Sequence, residues 1–299
     1  MKSSRRHFVT ASAIGAVGMI ARSQLIAAAS GALQSSSRRE APAEEAGSYR
    51  QVDSIKWYYE LRGRGPTVVL IPSGEGDCGS FEKVAVALSR EFAVLTFDMP
   101  GFSRSSDPPG FANYSMSQAA SEVVALVRAL GLAPATFYGC SSGGQVALSL
   151  VAEHSSTVRN AVVHEVPLPP GTRSDLVKLT DAEIVRTCKD LFRNDLNENT
   201  AAWDALGEAF HKRLERNYVT WVRRYVAGGR IRRSFTNEEL RRRPVTWTIG
   251  GLTPAARFFS NVVTAHGAGI EIGLLMCRHF PQVSIPEVLA DHIRKAARA

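Results

Sequence analysis

The chain has 299 residues, of which 44% are hydrophobic and 21% charged, enough for one large globular domain carrying an insertion. Its net charge of +8 gives no support to nucleic-acid binding, because residues 1–39 hold Lys2, Arg5, Arg6, Arg22, Arg38 and Arg39 and no acid, leaving 30 basic against 28 acidic residues in the remainder. The four cysteines, Cys78, Cys140, Cys188 and Cys277, form no CxxC or ligand spacing, and no metal or cofactor motif is present.

In chain order, residues 1–40 read as an address. Ser4-Arg5-Arg6-His7-Phe8-Val9 matches a twin-arginine signal, a moderately apolar run over 8–21 follows, and Ala27-Ala28-Ala29 offers a cleavage site. The run is too short for a membrane span, so the expectation is export, with a mitochondrial transit peptide as the alternative for an acid-free, Arg- and Ser-rich leader. A linker is expected over 41–48. Thr67-Val68-Val69-Leu70-Ile71 and residues 92–97 read as buried strands, and 115–130 as an amphipathic helix with a Ser-x-x-Gln start and Gly131 as its stop. A short buried strand at 135–138 and a helix at 144–153 bracket Gly139-Cys140-Ser141-Ser142-Gly143. A further strand at 160–163 leads into His164-Glu165.

From 167 to 243 the alternation of strand and helix breaks. Helices are expected over 181–193 and 200–227, with Trp203, Leu206, Phe210, Leu214, Trp221 and Tyr225 at helical spacing. Most of that stripe reads as packing, with one or two residues roofing an apolar pocket. The arginine-rich run over 230–243 reads as a solvated return linker rather than a phosphate site. Strands at 245–249 and 269–275 follow, then His279 ahead of Phe280-Pro281 and a last helix. This order implies an α/β fold: a mostly parallel sheet with helices on both faces, built from 49–166 and 244–299, and a helical cap inserted over 167–243.

The chemistry centres on G-x-S-x-G at 139–143. A serine on a strand-to-helix turn between small residues is the nucleophile elbow of an α/β-hydrolase. Its hydroxyl needs a histidine base held by a carboxylate, in the chain order Ser, acid, His. Of the C-terminal histidines, His279 follows the final strand and is the expected base; His266 and His292 fall in helices and read as surface residues. The loop after 245–249, Gly250-Gly251-Leu252-Thr253-Pro254, has no carboxylate, so Glu165 is the expected acid. Asp98, which precedes the serine, is expected to brace the loop around Gly101. The oxyanion donors are expected to be the N–H groups of Ser142 and Gly74, the latter in the loop after 67–71.

The chain resembles the zearalenone lactonases of the α/β-hydrolase family from about Ile55 onward. The segments that carry the resemblance are Trp57-Tyr58-Tyr59-Glu60, Thr96-Phe97-Asp98-Met99-Pro100-Gly101, Ser103-Arg104-Ser105, Gly139-Cys140-Ser141-Ser142-Gly143, His164-Glu165, Trp247-Thr248, Gly273-Leu274-Leu275 and His279-Phe280-Pro281. The resemblance implies a triad of Ser141, Glu165 and His279, oxyanion donors at Gly74 and Ser142, and a substrate-contacting tryptophan at Trp247. It implies a cofactor-free serine hydrolase whose partner is a small hydrophobic ester or lactone. Three places depart from the family pattern: Ser73 and Glu75 beside Gly74, Gly144-Gln145 after the elbow, and residues 167–243. A charged Glu75 is expected either to alter the pocket's polarity or to point to water. The residues themselves also admit another carboxylesterase, a C–C hydrolase, or a non-catalytic small-molecule receptor of this fold.

Overall fold

The computed structural model describes residues 47–169, 174–227 and 233–299. The expected leader and most of the expected linker lie outside the described residues. The strands are β1 Ser48–Val52, β2 Ile55–Arg62, β3 Thr67–Ile71, β4 Ala93–Phe97, β5 Ala135–Cys140, β6 Val158–His164, β7 Val245–Gly250 and β8 Ile272–Leu275. The helices are α1 Glu82–Leu88, α2 Met116–Ala129, α3 Ser142–Glu153, α4 Ser174–Val177, α5 Asp181–Asp190, α6 Thr200–Asp204, α7 Glu208–Thr220, α8 Asn237–Leu240, α9 Phe259–Ala268, α10 Pro281–Ser284 and α11 Pro286–Arg298.

The eight strands form one sheet in the order β1-β2-β4-β3-β5-β6-β7-β8. Only β1, β2 and the β2–β4 pairing are antiparallel; every pairing from β4 to β8 is parallel. Every residue of β3, β4 and β5 is buried. A parallel strand covered on both faces needs such an unbroken apolar run, which is why these segments read clearly in the sequence. The chain steps from β3 to β4 on one side and then back past β3 to β5 on the other. Right-handed crossovers therefore put α1 and α2 on opposite faces; α3 packs beside α2, and α11 beside α1. The reversal leaves a crevice where the chain exits β3 and β5, the place where open α/β sheets bind ligands.

Local chemistry sets the element ends. Ser115 caps α2 by accepting from the Gln118 N–H at 3.1 Å, and Gly131 ends it at φ +70°. The expected final strand over 269–275 is shorter, because Gly269 (φ +73°) instead terminates α9 and β8 starts at Ile272. The expected helix over 200–227 is broken: Gly207 at φ +90° separates α6 from α7, and the last turn, Trp221–Val226, widens to a π-helix. The arginines at the return to β7 are not a merely solvated run. Arg241 donates to the Gly267 and Ala268 carbonyls, Arg242 to Ala152 and Arg243 to Ser155, so these cations serve the carbonyl ends of α9 and α3 and the turn after α3.

Candidate active site

Ser141 sits between β5 and α3 with φ +53° and ψ −125°, a conformation an L-residue adopts only when its surroundings enforce it. The flanking glycines explain how. A Cβ on Gly139 would lie 2.2 Å from the Gly143 carbonyl oxygen, and one on Gly143 would lie 2.5 Å from the Ile71 oxygen. Strand, turn and helix cross too closely for any side chain there. The Ser141 N–H donates to the His164 carbonyl at 3.0 Å, tying the elbow to the end of β6. Cys140 is more than filler: its thiol donates to the His279 carbonyl at 2.8 Å.

Glu165 follows β6 at φ +45° and is fully buried. Its Oε2 accepts from His279 Nδ1 at 2.7 Å and its Oε1 from the Gly250 N–H at 2.9 Å. Burial alone would raise its pKa, but the hydrogen bond and charge of His279 outweigh burial and hold it at about 2. The backbone of residues 278–279 is held by the helical segment between β6 and β7: Arg278 N–H donates to Glu198 at 2.8 Å and His279 N–H to the Leu196 carbonyl at 3.0 Å. The Phe258 ring lies nearly parallel to the His279 ring at 5.2 Å. The neighbouring His164 is structural. It bridges Thr248 Oγ1 at 2.9 Å and the Arg278 carbonyl at 3.2 Å, and burial pushes it down to about 4, so it stays neutral.

Ser141 and His279 open onto one cavity of about 540 Å³, together with Gly74. Val166, Leu168, Phe192, Val226 and Phe259 make its walls predominantly apolar, and Arg257 is the one Arg, Lys, Asp or Glu in the wall among the described residues. Gly74 lies in a turn closed by the Gly76 N–H to Ser73 carbonyl bond at 3.1 Å. Ser142 is the first residue of α3; its side chain is buried, and its N–H belongs to a helix N-terminus, where amide donors face outward.

Two expectations are corrected. Trp247 is not part of the cavity wall: it is fully buried in β7, and its indole donates to Asn261 Oδ1 at 2.9 Å. The wall tryptophan is Trp221, whose indole nitrogen lies about 2.8 Å from where a Gly74 Cβ would sit and has no hydrogen-bond partner among the described residues. Its helical spacing made it visible as part of an apolar stripe, but spacing does not separate a core position from a roof position. Glu75 does not point to water. It is fully buried, accepts from Ser80 Oγ at 3.0 Å, and burial raises it to about 7.

The remaining candidates fall elsewhere. Asp98 accepts from the Cys78 and Arg104 N–H groups at 2.9 and 3.0 Å and pairs with the Arg104 guanidinium at 2.6 Å, bracing the loop after β4. His266 is exposed on α9 and His292 is half-buried on α11, both away from the cavity. Among the described residues no cluster of His, Cys, Asp or Glu could hold a metal ion, and no helix is long and apolar enough to cross a membrane.

A strained serine at an α/β crossover, with a buried Glu–His pair on the same cavity, defines a hydrolase of the α/β-hydrolase fold. The family model for that fold matches residues 66–248, and the chain belongs to the α/β-hydrolase family. It is similar to the zearalenone hydrolase of Bionectria ochroleuca, with 39% identity over 81% of this chain and 93% of that one. It is equally similar to the zearalenone hydrolase of Cladophialophora bantiana, at 39% identity over 82% of this chain and 94% of that one. Among solved structures, the enol-lactonase of Burkholderia xenovorans LB400 superposes with a TM-score of 0.68 at 19% identity, over 84% of this chain and 100% of that one, which shows the shared fold.

Proposed function

We propose that this protein is a serine lactonase that opens the macrocyclic ester of zearalenone, using Ser141, His279 and Glu165. The observation that carries the reading is the 2.7 Å Glu165–His279 pair opening onto the same cavity as the strained Ser141. The names of the two relatives at 39% identity supply the substrate.

In this mechanism Glu165 accepts from His279 Nδ1–H, which leaves Nε2 to take the proton of Ser141 Oγ as that oxygen attacks the lactone carbonyl. The Gly74 and Ser142 N–H groups hold the oxyanion. The imidazolium then returns the proton to the departing ring oxygen, and the C–O bond breaks to leave a ring-opened acyl-enzyme. Water, deprotonated by the same imidazole, attacks the acyl carbon and releases the acid and free Ser141. The helices between β6 and β7 act as the cap, with the Trp221 indole N–H as a donor to a substrate oxygen. Predominantly apolar walls favour a bulky, weakly polar ester over a charged one.

Incubation with zearalenone followed by mass spectrometry tests the substrate: a ring-opened product is expected. Hydrolysis of p-nitrophenyl acetate with zearalenone left intact would instead make the protein a general carboxylesterase. For the leader we propose twin-arginine export, supported by Arg5-Arg6 and the apolar run behind them. Replacing both arginines by lysine is expected to retain the precursor inside a bacterial host; unchanged export would assign another route.

A further inference from the structure

We propose that Asn261 is a positioning residue of this reaction, clamping the first turn of α9 to Val166 so that the acid and the base keep their alignment; this rests on the triad reading above. Asn261 is fully buried. Its Oδ1 accepts from the Val166 N–H at 2.8 Å, and its Nδ2 donates to the Val166 carbonyl at 2.7 Å. One amide side chain thus takes both backbone groups of a single residue, as a neighbouring strand would. The third bond fixes the amide's orientation: Trp247 Nε1 can only donate, and it donates to the same Oδ1 at 2.9 Å. This gives Trp247 its place in the molecule, behind the site, as the residue that aims Asn261.

What is clamped matters because of its neighbours on both sides. Val166 follows Glu165, whose φ of +45° is strained for a residue with a Cβ. Such a conformation persists only where the surroundings over-determine it. The Glu165 N–H bond to the Thr248 carbonyl at 3.1 Å fixes one side, and Asn261 fixes the other. On α9, Asn261 N–H donates to the Phe258 carbonyl at 2.9 Å, and Phe258 is the residue whose ring stacks on His279. The first turn of α9 has no side-chain N-cap, so this clamp is its polar anchor. The same turn carries Phe259 and Ser260 into the cavity wall. Asn261 therefore links the substrate wall, the ring against the base, and the backbone that aims the acid.

The test uses the full chain and two substrates, zearalenone and p-nitrophenyl acetate. Asn261→Leu keeps the volume and removes all three bonds. Expected are a fall in kcat of about 10- to 100-fold on both esters, since both use the same acid–base pair. The acidic limb of the kcat/KM profile is expected to move to lower pH, because a misaligned Glu165 stabilises the imidazolium less. Trp247→Phe, which removes one donor and keeps the ring, is expected to give a few-fold loss in the same direction. Asn261→Asp keeps both acceptor bonds and loses the donor to Val166, and should fall between the two. A folded Asn261→Leu with unchanged kcat and an unmoved acidic limb overturns the proposal, as does a change confined to melting temperature. If Asn261→Leu does not fold, Asn261→Asp and Trp247→Phe decide by the same two readouts. Ser141→Ala separates this from the parent reading: turnover of both esters without Ser141 sinks the triad, whereas a dead Ser141→Ala beside a wild-type-like Asn261→Leu sinks only the clamp.

Discussion

Two buried glutamates, Glu75 next to Gly74 and Glu165 next to Val166 of the cavity wall, have pKa values pushed in opposite directions. Glu165, after β6, is held ionised down to about pH 2 by the hydrogen bond and charge of His279, which outweigh its burial. Glu75, beside Gly74, is equally inaccessible to solvent, yet burial raises it to about 7. Among the described residues Ser80 is its one side-chain partner, and its Oε2 has none. Burial is common to both, so the difference comes from the partners: a base that becomes a cation on one side, a hydroxyl on the other. The lesson is that desolvation sets the penalty for a buried carboxylate, and specific donors decide whether it is ionised. Widely separated pKa values of this kind are how one site keeps different carboxyl groups in different protonation states.

The two sides are also anchored differently. Amide and carbonyl bonds through Asn261 hold the acid side. On the Gly74 side, Asn217 of α7 donates to the Glu75 carbonyl at 2.7 Å, and the buried Asp77 pairs with Arg213 of α7 at 2.6 Å. Arg104 adds a second cation to Asp77 at 3.4 Å. A charged network thus ties α7 to the loop after β3, and a neutral one ties α9 to the backbone after Glu165.

The largest effect is expected at the residue both sides serve. Ser141→Ala should reduce turnover of zearalenone at least about 10³-fold with the fold intact by circular dichroism. Near-normal activity there, with Ser142→Ala inactive, would mean that the neighbouring hydroxyl is the nucleophile. Glu165→Gln strikes the acid side alone. It keeps the shape and loses the charge, and kcat is expected to fall about 10²- to 10³-fold. Full activity in that variant would break the comparison, because the ionised glutamate would then have no task.

Glu75→Gln tests the other carboxyl through stability. An ordinary glutamate titrates at 4.5, and Glu75 at about 7. Between those values the unfolded chain has lost the proton and the folded chain keeps it. Wild-type stability attributable to this group therefore falls as pH rises from about 4.5 to about 7 and stays lower above that, by at most on the order of 3 kcal/mol. Glu75→Gln should flatten that slope and melt several degrees above wild type at pH 8, with the gap closing near pH 5. Parallel melting curves at both pH values would show that Glu75 is ionised in the fold after all.

The smallest effect is expected at the wall. Trp221→Phe keeps an aromatic ring beside Gly74 and removes the unpaired N–H. KM for zearalenone should rise about 2- to 10-fold, the range of one hydrogen bond, while p-nitrophenyl acetate is spared. Equal losses on both esters would place Trp221 in packing alone.

The sequence by itself determined the central parallel strands and which residues are proposed for catalysis. Unbroken apolar runs at β3, β4 and β5, glycines at 139 and 143, and the emptiness of the loop after β7 are local facts, and each has a local physical cause. Glu165 could be proposed as the acid because the usual position held no carboxylate. Tertiary structure decided what spacing cannot carry. Trp247 and Trp221 both lie in apolar patterns, but one faces Asn261 inside the domain and the other faces the cavity, a distinction that exists only once α7, α9 and the sheet are packed. The same holds for Glu75, whose pKa is raised by burial with no cation paired to it among the described residues, and for Gly207, where a single residue at φ +90° split an otherwise continuous helical pattern. Periodicity reports which residues are apolar together. Only packing reports what each of them faces.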